Sequence, residues 1–221
     1  MMTSPARAHR LRVEAELTAR PGGQLQPMSG YSQMLLQLSE DMTRLKAVQS
    51  TERKVELKRE LLPKYVPWVD GILAGDGSRQ DDVVMNVLIW RIDAGDYDGA
   101  LVIAAHALRH RWVLPARYNR TTATAIAEEF ADAAMAAFTL KASFSAPLLL
   151  RVLELVDAHD MPDQSRARLH KALGYALRDN GQAVAAMNHL TRALQLDTRI
   201  GVKKDIEQLQ RQLRQAVNVN G

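Results

Sequence analysis

Three carboxylates crowd one short turn of this chain, Asp93, Asp96 and Asp98 in DAGDYD, and Asp81 and Asp82 stand at the start of the helix that precedes it. Clustered carboxylates are what a magnesium-dependent nuclease uses to hold metal and activate water. Such an enzyme also needs a positioned lysine or further ligands, and the neighbouring sequence offers neither. Asp and Gly are equally the residues that a tight turn uses for its own hydrogen bonds, so DAGDYD reads as a turn and no catalytic residue is assigned. His106 and His110 lie one helical turn apart, as zinc ligands can. No glutamate completes an HExxH pattern and no third ligand is indicated, so a solvated or phosphate-facing pair is expected, with no metal and no cofactor. The Gly-x-x-x-x-Gly-Lys-Ser/Thr pattern that cradles nucleotide phosphates does not occur in the sequence, and ATP hydrolysis is not expected.

Basic side chains beside aromatics are the remaining chemistry. Arg109, His110, Arg111, Trp112, Arg117, Tyr118 and Arg120 follow the acidic turn within one stretch. Guanidinium forks hold phosphates bidentately or read guanine, and aromatic rings offer faces on which bases stack. A second basic set, Arg7, His9, Arg10 and Arg12, lies on a short N-terminal helix opened by Ser4 and Pro5. The non-helical stretch PGGQLQPMSG, Pro21 to Gly30, would let that helix move as an arm toward DNA phosphates; the alternative is a disordered basic terminus. The DNA-contact candidates are therefore Arg7, Arg10, Arg12, Arg109, His110, Arg111, Arg117 and Arg120. A net charge of +4 is too small to argue for nucleic acid alone. Its distribution says more, because acidic residues dominate 71–105 and basic ones 106–151, although both can be ordinary solvated faces.

The elements that must position these groups follow from periodicity. Met85, Leu88, Ile89 and Ile92, then Ala100, Ile103, Ala104, Ala107 and Leu108, recur at helical spacing on either side of Gly95 and Gly99, which makes 83–115 a helical hairpin. Upstream, Tyr31, Leu38 and Leu45 with Met34, Val48 and Val55 run in one pattern to Leu62, predicting a single helix of about 45 Å at 1.5 Å per residue. A helix of that length packs inside one subunit or against copies of itself. In the second case Tyr31, Met34, Leu38, Leu45, Val48 and Val55 form the oligomer seam. Pro63 and Pro67 then turn the chain, with Tyr65 and Trp68 wedged at the corner and Gly75 to Ser78 in a loop. From Leu169 the sequence matches a tetratricopeptide unit through Leu173, Gly174, Leu177, Gly181, Ala186, Leu190 and Ala193, with small residues where paired helices touch. The central hairpin echoes this unit too far away to be a tandem repeat, so a bundle is expected instead of a solenoid. Val202, Ile206, Leu209, Leu213 and Val217 make a narrow apolar stripe on a last helix that docks on its own body or on a partner.

These features predict an all-α fold, a multi-helix bundle with a long N-terminal helix and tetratricopeptide-like hairpins. With 47% hydrophobic residues the chain can bury a real core, read as one compact domain with an N-terminal extension. The expected segments are 1–30, a basic helix and linker; 31–70, the long helix and corner; 71–160, the central hairpin and bundle; and 161–221, the second hairpin and final helix. Zero cysteine excludes disulfides and thiolate metal sites. No apolar run approaches the roughly 20 residues of a membrane span, and no signal-peptide core is seen, so a soluble intracellular protein with no membrane partner is expected.

IWRIDAGDYDGAL, ALRHRWVLP and RTTATAIAEEFADAA, together with MTSPARAHR, KAVQSTERK, LPKYVPWV, ALGYALRDNGQA and GVKKDIEQLQRQL, resemble the small terminase subunit of tailed phages, of the GpM type found in cohesive-end myophages. The resemblance spans nearly the whole chain and rests on overall pattern. It implies binding of double-stranded viral DNA near the cohesive-end site and recruitment of the large ATPase/nuclease subunit. It further implies delivery of the genome through the capsid portal in the host cytoplasm, by a ring-shaped homo-oligomer. Members of this type are often described as the endonuclease subunit, yet the residues here support no independent nuclease, and cleavage is expected of the assembled enzyme. The competing class is a helical protein-interaction adaptor that uses the tetratricopeptide-like surface and does not bind DNA.

Overall fold

The computed structural model describes residues 4–19 and 30–219, with side chains described as far as residue 215. Every regular element among them is helical: α1 (Pro5–Ala19), α2 (Gly30–Ala47), α3 (Thr51–Leu61), a 3-10 turn (Leu62–Lys64), α4 (Val66–Ala74), α5 (Asp82–Ala94), α6 (Tyr97–Arg109), α7 (Thr122–Thr139), α8 (Ala146–Val156), α9 (Asp163–Asp179), α10 (Ala183–Leu196) and α11 (Lys203–Val219). No described helix is long and apolar enough to cross a membrane. The expected single domain is instead two compact units, 1–122 and 123–221, so the division falls inside the segment expected to run from 71 to 160.

Unit 1 is built around α5, whose residues from Val83 to Trp90 are all buried. Asp81 starts that helix by accepting the Val84 amide at 2.9 Å, and its other oxygen accepts the Trp68 indole N–H at 2.9 Å. Burial pushes the Asp81 carboxyl up to about 6 despite those donors. Trp68 on α4 stacks on Tyr31 at 6.1 Å, and Tyr65 meets the edge of Trp90 at 5.7 Å. A second carboxylate, Asp41, is 1% exposed and accepts from the Tyr65 hydroxyl at 2.9 Å, with Arg44 at 3.1 Å and Lys64 at 3.3 Å beside it. A buried charge is tolerable when it is hydrogen-bonded and paired in this way.

The long helix predicted from Tyr31 to Leu62 is two helices. Ser50 adopts an extended backbone and its hydroxyl accepts the Arg53 amide at 3.2 Å, so a new helix is capped where the seven-residue pattern runs on. The seam expected to meet another copy is largely used at home: Met34, Leu38 and Leu45 are buried, and Tyr31, Val48 and Val55 are half-buried. Leu35 and Leu36 face outward instead.

The mobile-arm expectation for the first helix is also corrected, because α1 packs along α4 through Leu11, Ala15 and Ala19. Gly71 makes this possible: a methyl added there would overlap the Arg12 carbonyl oxygen and stand 2.7 Å from the Ala15 methyl. At Gly75 it would stand 2.9 Å from the Ala19 methyl. Backbone therefore lies against backbone, the geometry that small residues permit. The expected joint from Pro21 lies outside the described residues up to Gly30, which opens α2.

In unit 2, α9 and α10 form an antiparallel hairpin in which Gly174 receives the Leu190 side chain, and Ala186, Leu190 and Ala193 are buried. The final helix takes the first of its two expected options. Val202, Ile206 and Leu209 are buried, α11 packs on α10, and Asp205 accepts from Tyr175 at 3.0 Å and Arg178 at 3.0 Å. The side chain of Val217 lies outside those described.

Gly71→Ala should destabilise unit 1 by about 2 kcal/mol, the usual order for overpacking against a backbone that cannot retreat. Urea unfolding followed by tryptophan fluorescence measures it directly, because Trp68, Trp90 and Trp112 all belong to unit 1.

Candidate functional site

The C-terminal end of α6 and the loop after α4 come together, and most of the chemistry-bearing residues gather there. α6 ends in a Schellman arrangement: the Trp112 amide donates to the Ala107 carbonyl at 2.8 Å and the Arg111 amide to Leu108 at 3.2 Å. Arg111 takes the left-handed position, φ 56°, that glycine usually fills. The turn drives Trp112 into the core, where it is 3% exposed and donates to the Ser78 carbonyl at 3.0 Å. It therefore offers no face for base stacking, contrary to the sequence expectation. Gln80 completes the seam by exchanging two hydrogen bonds with the Val113 backbone, at 2.8 and 2.9 Å.

This clasp holds Asp76 against the exposed end of α6. Asp76 accepts from Arg109 and lies 3.3 Å from Nε2 of His110 and 3.9 Å from Nδ1 of His106. The His110 hydrogen bond, helped by the Arg109 charge, draws the Asp76 carboxyl below its ordinary range. His106 is buried, 4.4 Å from the His110 ring and edge-on to Trp112 at 4.8 Å. Burial first, and then the neighbouring His110, lower its pKa. The third donor that the sequence did not indicate is thus present. Among the described residues, Asp76, His106 and His110 bring metal-ligating atoms within 4.8 Å of one another.

The expected DNA contacts separate into two groups. Arg7, Arg10, Arg12 and Arg111 are exposed, with Arg10 3.7 Å from Glu14 and Arg12 3.4 Å from the His9 ring. Arg109 and His110 are engaged by Asp76. Arg117 donates to the Asn86 side-chain carbonyl and, at 3.2 Å, to the Tyr118 hydroxyl, and lies over the Tyr118 ring. Arg120 is half-buried. The acidic turn is spent structurally, since Asp93 pairs with Lys58 at 2.5 Å and Asp96 caps α6 through the Gly99 amide at 3.1 Å while facing Arg91 at 3.5 Å.

Residues 35–164 match the phage small terminase subunit family. The chain belongs to that family. It is 47% identical over 214 residues, 96% of this chain and 87% of the relative, to the "Terminase, endonuclease subunit" of Escherichia phage P2. It is 23% identical over 191 residues, 80% of this chain and 68% of the relative, to the "Probable terminase, endonuclease subunit" of Haemophilus phage HP1. No solved structure matches it. As a phage small terminase subunit the protein takes part in packaging viral DNA, and its family segment contains Asp76, His106, His110 and the α6 end.

Sequence reasoning on this small terminase subunit missed a second imidazole pair. Nδ1 of His170 on α9 and Nδ1 of His189 on α10 are 2.9 Å apart, with the rings stacked at 5.2 Å. Helix pairing alone creates this contact, and only an assumed α9–α10 register could have revealed it. Burial, then the His189 and Arg192 charges, lower His170 to about 4. Between about 6.5 and about 4 the unfolded chain binds a proton that folded His170 refuses, so stability is present above that window and lost as pH falls through it. Unit 2 should lose about 3 kcal/mol from pH 7 to pH 4 through this residue, and His170→Gln should flatten the profile. Urea midpoints by far-ultraviolet circular dichroism, with tryptophan fluorescence as the unit 1 reference, make the comparison.

Proposed function

We propose that this subunit binds double-stranded viral DNA near the cohesive-end site and recruits the large ATPase/nuclease subunit. Acting as a ring-shaped homo-oligomer, it presents the genome for cleavage and for passage through the portal into the capsid, in the host cytoplasm. The observation that carries this reading is kinship over 96% of the chain with a phage terminase subunit. Cleavage belongs to the assembled enzyme, because Asp93 and Asp96 are already committed to Lys58, Arg91 and the α6 cap. The exposed arginines support a division of labour. Arg7, Arg10 and Arg12, on a helix clamped to the body, hold DNA phosphates from a fixed platform. Arg111 reaches out from the α6 end, whereas Arg109, His110 and Arg117 chiefly position their neighbours. A ring contact through α2 uses the outward Leu35 and Leu36, beside the seam residues already packed inside the subunit.

Native-gel titration against a cohesive-end duplex and a scrambled duplex of equal length tests the reading. Preferential, salt-sensitive retardation of the cohesive-end duplex is expected. Replacing Arg7, Arg10 and Arg12 together by Ala should lower the slope of log affinity against log salt by about 2 to 3, at roughly 0.9 for each phosphate that is no longer neutralised. A folded oligomer that retards neither duplex would leave the adaptor reading in its place.

Arg111→Gly separates stability from binding. Glycine relieves the left-handed strain and should stabilise unit 1 by up to about 1 kcal/mol, while DNA affinity falls with loss of the guanidinium. Unfolding midpoints and gel titration on the same preparation should therefore move in opposite directions.

A further inference from the structure

We propose that Asp76, His106 and His110 form a binding site for one divalent transition-metal ion of the zinc class. Zinc bonded at about 2.0 to 2.1 Å in tetrahedral geometry holds its donors about 3.3 Å apart. The Asp76–His110 edge already has that length at 3.3 Å, and the Asp76–His106 edge is 3.9 Å. Two imidazoles with one carboxylate suit zinc, iron or nickel and not magnesium, which prefers an all-oxygen shell. The scaffold is preformed, because His106 is 4% exposed and wedged by Trp112, and Ser78 and Gln80 tie the loop bearing Asp76 to the residues that follow α6.

His106 offers the trio its Nδ1, the ring nitrogen that lies 3.9 Å from Asp76 Oδ1 and 3.4 Å from the Arg109 guanidinium, and the burial of the ring holds that atom in place. Asp76 is 62% exposed, so the open coordination positions face solvent, where water or an anionic oxygen completes the shell. The guanidinium of Arg109 currently stands in for the ion, donating to Asp76 Oδ1 and lying 3.4 Å from Nδ1 of His106. Being 60% exposed, it can swing into solvent when a cation displaces it.

Full-length protein stripped of metal by chelation is titrated with Zn²⁺ against a chromogenic chelator, and with Co²⁺ followed by visible absorption. One equivalent of Zn²⁺ should bind, unaffected by excess Mg²⁺, and Co²⁺ should give the absorption of nitrogen-ligated ion. Asp76→Ala and His110→Ala should each weaken Zn²⁺ by about tenfold or more with unchanged circular dichroism. Arg109→Ala should strengthen it, since the competing cation is gone. The proposal is overturned if the folded protein binds no Zn²⁺, if Arg109→Ala weakens binding, or if the bound equivalent survives His110→Ala but is lost in His170→Ala. DNA retardation without metal leaves the DNA reading standing whichever way this experiment falls.

Discussion

Asp81 accepts two hydrogen bonds, from the Val84 amide and the Trp68 indole, and most of unit 1 takes its positions from them. The first sets where α5 begins. The second holds α4 at a fixed distance from that start. Tyr31 then stacks on Trp68 and its hydroxyl accepts the Asp82 amide at 3.3 Å, so α2 joins the same junction. Because α5 is buried along nearly its whole length, its phase settles that of α6 through the left-handed Gly95 and the Asp96 cap. The α6 end, with its two histidines, is delivered to the Asp76 loop as a consequence. The burial that raises the Asp81 carboxyl is the strain side of this arrangement, offset by what the junction aligns.

Charge is used twice in the molecule. Lys58 with Asp93, Arg91 with Asp96 and Arg178 with Asp205 join helix to helix or helix to turn, and the first two engage two carboxylates of the acidic stretch in local pairs. Arg7, Arg10 and Arg12 on α1 and Arg111 after α6 stay outward on unit 1. A small net positive charge is then compatible with DNA contact, because exposed cations act locally while many carboxylates elsewhere are already paired.

The all-α class, the central hairpin, the α9–α10 hairpin and the apolar face of α11 were all legible, since each rests on a periodic pattern of the residues that are buried. Single side chains that overrule a pattern were not. Ser50 ends one helix and starts another within an unbroken heptad, through a cap that periodicity does not register. Gly71 and Gly75 gave no sign that α1 would lie on them, because close backbone approach depends on which helix arrives. The site was half visible. His106 and His110 follow from helical spacing, but Asp76 sits 34 residues before His110 in a loop that only the folded chain brings across. The basic residues were found as a class, whereas which of them were already occupied depended on Asp76 and Asn86, which composition cannot rank.

The contact between α1 and α4 separates the face that anchors the helix from the face it leaves exposed. Three small or apolar side chains and the backbone itself, the Arg12 carbonyl included, hold α1 in place, while the side chains at positions 7, 10, 12, 13 and 17 face outward. Those outward positions can drift during evolution without loosening the helix. A stretch of surface on α1 is thereby left able to change residue by residue, with a folded subunit kept at every step.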